Sequence, residues 1–182
     1  KKRFFSALEP DKLLELEEKK LKDLKEALPQ LKSLFNTEGQ KSKIFYYEGL
    51  EGIRQIVNDS LSFKSEVLFF ETPRVVTVDQ HKLLKEYIKK RIELGTKARV
   101  IGELSPEIIN MKARDQNEMR ETRILPQTIF NSDVEIGIYG NRIYIINFKD
   151  EFGFIVEDSQ ITKTLKMIFE IVWASGKIIE KI

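Results

Sequence analysis

The sequence predicts an α/β fold: a mixed, mainly parallel sheet with helices on both faces, preceded by a long N-terminal coiled-coil helix. Three observations predict it. A leucine seam runs through the first 35 residues. Short runs of β-forming residues then alternate with amphipathic stretches from Lys43 to Leu125. Three consecutive strand-like runs and a final amphipathic segment close the chain.

Pro10 and Asp11 suit a helix start, Pro in the first turn and an acid near the positive end of the dipole. From there to Phe35 nearly every residue is a good helix former. Leu14, Leu21, Leu24, Leu28, Leu31 and Phe35 fall at spacings of three, four and seven, an a/d seam interrupted at Glu17. Charged residues fill the other faces. Pro29 is expected to kink the helix or end it near Leu28. Two readings fit this segment: a dimerising coiled coil, which is favoured, and an amphipathic helix packed on its own domain. Residues 36–42 are polar, contain Gly39 and read as a linker. The expected domains are therefore 1–38, a dimerising helix and connector, and 43–182, an α/β domain.

Within the second domain, KIFYY at 43–47, residues 66–70, 97–102 and 122–125 read as strands. Helical spacing marks 51–63 through Ile53, Ile56, Val57 and Leu61. It marks 78–94 through Leu83, Leu84, Tyr87, Ile88 and Ile92, with Gly95 as the stop. Residues 106–119 form a third, more polar helix. The end of the chain changes rhythm: 135–138, 142–147 and 152–157 are successive strands, with Gly140-Asn141 suited to a tight hairpin and 149–151 to the next turn. The last helix, 159–174, is expected to turn Ile161, Leu165, Ile168, Phe169 and Val172 inward.

Composition narrows the chemistry. The 182 residues carry 31 Lys plus Arg and 29 Asp plus Glu, a net charge of +2, so the lopsided basic balance of a dedicated nucleic-acid domain is missing. No cysteine is present, which excludes a disulfide scaffold, a thiol nucleophile and thiolate metal sites. With one histidine, His81, a His-rich metal cage is excluded, and no metal or cofactor is expected. No run approaches a membrane span, and no export signal appears. The expected location is the cytoplasm. The chain opens at Lys1 without an initiator methionine and reads as a fragment of something longer.

Ligands of an open α/β sheet lie outside the carboxyl ends of its strands. Glu48, Glu71, Thr72, Glu103 and Arg123 stand at such ends. The acids there match no metal loop, and neither GxGxxG nor GK[ST] occurs. Gly49 and Gly52 in EGLEG read as a helix opening, with a weak anion site as the alternative. His81 reads as a surface or partly packed helical residue and Trp173 as packing. Lys1-Lys2-Arg3 and Lys89-Lys90-Arg91 are short basic clusters, the second read as solvated. Glu118, Arg120, Glu121 and Arg123 suit an ion-pair network, and Arg123 alternatively points into the cleft and grips a carboxylate or phosphate.

KIFYYEGLEGI, RDQNEMRETRILP, EIGIYGNRIYIINF and ITKTLKMIFEIVW, in this order, resemble the TrmB family of transcriptional regulators. FFSALEPDKLLELEE and LKEALPQLKSLF resemble the connector that follows that family's winged helix. The resemblance covers nearly the whole chain. It implies a homodimer, DNA contact through a winged helix-turn-helix absent from this chain, and a phospholipase D-like domain. Phospholipase D enzymes carry HxKxxxxD on a late strand. Here that frame holds Gly140, Arg142 and Asn147, so the cation is kept in kind, the acid is an amide and the nucleophilic histidine is gone. The expectation is a non-catalytic regulatory domain with no catalytic residue. Glu48, Glu71, Arg123, Arg142 and Asn147 are its candidate ligand-binding residues, and the small-molecule effector is unknown. A phosphodiesterase or nuclease and a purely structural oligomerisation module are the alternatives.

Overall fold

A computed structural model describes residues 10–35, 42–72 and 77–179. The chain divides into two compact units, Lys1–Gln40 and Lys41–Ile182. Residues 36–41 of the expected linker and the Lys1-Lys2-Arg3 cluster lie outside the described residues.

In the first unit a single helix, α1 (Pro10–Phe35), spans 26 residues. It does not end near Leu28 but runs through Pro29, because proline removes one N–H from the ladder while the turns on either side keep theirs. Leu14, Leu21, Leu24 and Leu28 are 41–61% exposed in the single chain. Leu31 and Phe35 lie in the same helix, their side chains outside those described. Lys20 pairs with Glu17 at 2.7 Å on the charged surface.

The second unit runs β1 (Lys43–Glu48), α2 (Gly49–Asp59), a 3-10 turn (Ser60–Ser62), β2 (Val67–Glu71), α3 (Val78–Glu93), β3 (Ala98–Glu103), α4 (Pro106–Lys112), β4 (Arg120–Leu125), β5 (Glu135–Tyr139), β6 (Arg142–Asn147), β7 (Phe152–Glu157) and α5 (Ser159–Ile179). The sheet order is β1-β7-β6-β5-β2-β3-β4. Only β2, β3 and β4 pair in parallel; β2 with β5, β5 with β6, β6 with β7 and β7 with β1 are antiparallel. The expected mainly parallel sheet is thus a mixed one with more antiparallel than parallel junctions. The β5–β7 meander inserts between β1 and β2. Those two strands keep the common direction of a crossover unit without being neighbours.

Both faces of the sheet are covered, so its central strands are apolar in both directions. Val67 and Phe69 of β2 face Ile53, Ile56 and Val57 of α2 and Leu83 and Tyr87 of α3. Leu68 and Phe70 face Phe169 and Trp173 of α5. A capping box starts α3: Thr77 N–H donates to Gln80 Oε1 at 2.9 Å and Gln80 N–H to Thr77 Oγ1 at 3.3 Å. The buried Gln80 amide also donates to the Phe148 carbonyl at 2.8 Å, tying α3 to the turn between β6 and β7.

Besides α1, and α2, which gives way to the 3-10 turn at Ser60, two helices differ from expectation. The one expected over 106–119 stops at Lys112. Beyond it Asp115 accepts from Thr122 N–H and Oγ1 and from Arg120 Nε, each at 2.7 Å, and this side-chain net replaces helical hydrogen bonds. In α5, Ile161 and Ile168 are exposed rather than inward. The inward ladder is Thr162, Phe169 and Trp173, all buried, with Leu165 and Val172 partly buried beside them, a rotation of the helix about its axis.

Gly137 of β5 lies opposite Tyr144 of β6, and a Cβ added there would meet the Tyr144 ring at 2.3 Å. The ring is fully buried and would have to move to admit that Cβ. Gly137→Ala is expected to cost about 2 kcal/mol of stability, the usual scale of core overpacking, read as a lower urea midpoint with an unchanged slope.

Candidate functional site

The register of β2 against β5 builds the site. Leu68 pairs with Ile138, Phe69 with Gly137 and Phe70 with Ile136. One further step sets Glu71, the last residue of β2, opposite Glu135, the first of β5. Strand alternation puts both side chains on the α2–α3–α4 side, and cross-strand neighbours stand with Cβ atoms about 5 Å apart. There they line a cavity of about 220 Å³ roofed by α3 and α4. Phe69, Val100 and Tyr144 complete its floor, and Tyr87 and Ile88 of α3 and Met111 of α4 its walls. The exposed His81, Lys85, Glu107 and Arg114 mark its mouth.

Most polar groups on the wall are held by hydrogen bonds. Tyr144 donates its hydroxyl to Glu135 Oε1 at 2.6 Å. Because Gly137 leaves space above β5, the Tyr144 ring lies along that strand and its hydroxyl reaches Glu135. Tyr87 and Ser60 share a hydroxyl hydrogen bond of 3.1 Å. The Arg91 guanidinium, 1% exposed, donates to the carbonyls of Thr96 at 2.7 Å, Glu118 at 2.5 Å and Met119 at 3.3 Å. Arg120 pairs with Asp115 at 2.7 Å and Glu118 at 2.6 Å and caps the Met111 carbonyl. Among the described residues, none donates a hydrogen bond to Glu71.

Electrostatics follow from enclosure. Burial pushes the Glu71 carboxyl up to about 7, against the weaker pull of Arg120. Glu135 is driven well above the carboxylate range, first by burial and then by Glu71, with the Tyr144 hydroxyl opposing. Burial likewise raises Tyr87 to about 12 and lowers Arg91.

Of the charged residues and the histidine singled out in the sequence, Glu71, His81, Arg91 and Arg120 border the cavity. Glu48 ends β1, at the far edge of the sheet, where it accepts from Tyr46 at 3.0 Å. Asn147 braces the β6–β7 turn through Asp150. Arg142 sits at the opposite end of β6 and the opposite face from Asn147, paired with Asp59 at 2.7 Å and Glu157 at 2.6 Å. Arg123 does not enter the cleft. It lies on the α5 side, 3.9 Å above the Trp173 ring, bonded to the Trp173 carbonyl and paired with Glu121 at 3.3 Å. Arg91, read with its neighbours as solvated, is buried.

Three cavity residues were within reach of the sequence. Arg91 continues the Leu83–Tyr87 ladder at a spacing of four. Tyr144 lies inside an unbroken apolar run. Glu135 opens an antiparallel strand and so shares an edge with the carboxyl end of β2. Nothing local to the sequence marks the pairing of Glu135 with Glu71.

No protein-family model matches the sequence, and no curated protein matches it. Among solved structures the fold is similar to that of TrmBL2, an archaeal chromatin protein described as showing a novel mode of DNA binding. The TM-score is 0.53 at 14% identity, over 90% of this chain and 62% of that one. The chain thus spans less than two thirds of that protein's length, and the likeness is one of fold. Among the described residues, no helix is long and apolar enough to cross a membrane, and no group of three or more His, Asp or Glu is placed to hold a metal ion.

A folded-state carboxyl held near 7 keeps its proton where the unfolded chain has released it. Stability is therefore expected to fall as pH rises from about 4.5 through about 7 on account of Glu71, and to go on falling above that through Glu135. Glu71→Gln should flatten the lower part of this slope, checked by urea unfolding across that range.

Proposed function

We propose that this chain is the dimerisation and regulatory part of a DNA-associated transcription regulator of the TrmB kind, acting without catalysis in the cytoplasm. The observation that carries the reading is the fold shared over 90% of the chain with a DNA-binding chromatin protein. Two α1 helices would pair through Leu14, Leu21, Leu24, Leu28, Leu31 and Phe35, and their spacing would set that of two winged helices joined to them. The exposed leucines of α1 support this, since such a row gains most by burial against its own copy.

The non-catalytic part has its own support. Arg142 and Asn147, which would hold phosphate in a phospholipase D-like site, stand at opposite ends and faces of β6, and Arg142 is already neutralised by Asp59 and Glu157. Gly140 has a φ of +47° and serves the hairpin. An effector seated in the cavity would act on DNA binding by no more than its differential affinity for two dimer arrangements.

Sedimentation of the whole chain at tens of micromolar is expected to give a dimer, and the double variant Leu21→Asp, Leu24→Asp a folded monomer. A monomeric wild type would overturn the pairing, and an unchanged mass in the variant would move the interface off α1. Turnover of a chromogenic phosphodiester would refute the non-catalytic assignment.

A further inference from the structure

We propose that the cavity between α3, α4 and the sheet binds a small organic cation, a protonated primary amine with an apolar body, between the carboxyl groups of Glu71 and Glu135. The inference concerns the cavity alone and stands apart from any action on DNA.

The argument begins with register. Two glutamates opposite one another on neighbouring strands repel when both are ionised, and here they do so inside an enclosure. The arginines that line the cavity are engaged elsewhere, while Lys85 and His81 stand exposed at its mouth. Arg120 serves Asp115 and Glu118, and Arg91 serves three carbonyls. Arg114, at the mouth, serves Glu118 at 2.8 Å. Glu135 is offered the Tyr144 hydroxyl, and no described residue donates to Glu71. Among the described residues the pair therefore has no cation bonded to it, Arg120 acting only through space, and protons take that role. A ligand ammonium supplies the charge and up to three N–H donors in their place.

The remainder of the wall fixes the ligand's other end. Phe69, Tyr87, Tyr144 and Met111 are apolar or aromatic there, suited to a hydrocarbon body and to cation–π contact with its charged head. Beside the two carboxyl groups an anion is repelled. A neutral polyol leaves the apolar wall unused. Size sets the upper limit: since a cavity of about 150 Å³ holds benzene, 220 Å³ holds about nine non-hydrogen atoms.

Phenethylamine, with its ammonium on a short arm, and 2-phenylethanol, its neutral counterpart of equal size, are the probes. Calorimetry of the whole chain near neutral pH, in two buffers of different ionisation enthalpy, is expected to show the amine binding about tenfold or more tighter than the alcohol, the scale of a charged hydrogen bond. It should also show protons released to the buffer as the amine displaces them from the pair. Glu71→Gln should weaken the amine about tenfold, cut the proton release and leave the alcohol unchanged. The proposal is overturned if the alcohol binds as tightly as the amine, if neither binds, or if Glu71→Gln leaves the amine's affinity intact. Should that variant fail to fold, the comparison of amine with alcohol on the wild-type chain decides alone.

Discussion

Two carboxyl side chains set face to face on adjacent strands, largely shielded from water, are the constraint around which this side of the sheet is built. The antiparallel junction of β5 with β2 imposes it. An ordinary surface pair would separate or be screened; Glu71 and Glu135 have neither option. The surroundings respond with hydroxyls, with arginines held a step away by carbonyls and acids, and with a raised affinity for protons. Buried groups of this kind cost stability and persist where the fold over-determines them.

That over-determination comes from packing. Gly137 makes room for the Tyr144 ring, and the ring aims its hydroxyl at Glu135. Ser60 holds Tyr87, and the carbonyls of Thr96, Glu118 and Met119 hold Arg91, which binds the end of α3 to the turns before β3 and β4. The Asp115 net then stops α4 early and leaves its short length over the sheet. Each piece is modest, but together they hold the walls of a void that hydrophobic collapse alone would have closed.

Much of the fold was legible in residue order. The β-branched and aromatic runs at 43–47, 66–70 and 142–147 marked strands, and Gly140-Asn141 marked its hairpin, because these signals act over a few residues. Strand order was not legible. That β7 lies beside β1, and β5 beside β2, is settled by contacts spanning most of the chain, and no periodicity carries such information. The site suffered accordingly. Glu71 was visible as a strand-end acid, while its partner arrives from the meander. Arg91 was hidden by two lysines, although its spacing from Leu83 and Tyr87 places it on the buried stripe. Arg123 drew attention as a cation near a strand end and Arg142 through the phospholipase D frame, but a stacked indole and two carboxylates already occupy them. In α5 the apolar stripe was too broad to fix its own rotation.

The sole tryptophan of the chain, Trp173, sits on the side of the sheet remote from the acidic void, stacked on Phe169 and beneath the Arg123 guanidinium. Its fluorescence is a built-in gauge of how α5 is seated. A spectral change on filling the void would have to cross the thickness of the β-layer, so the indole emission separates a ligand that merely docks from one that moves the far helix.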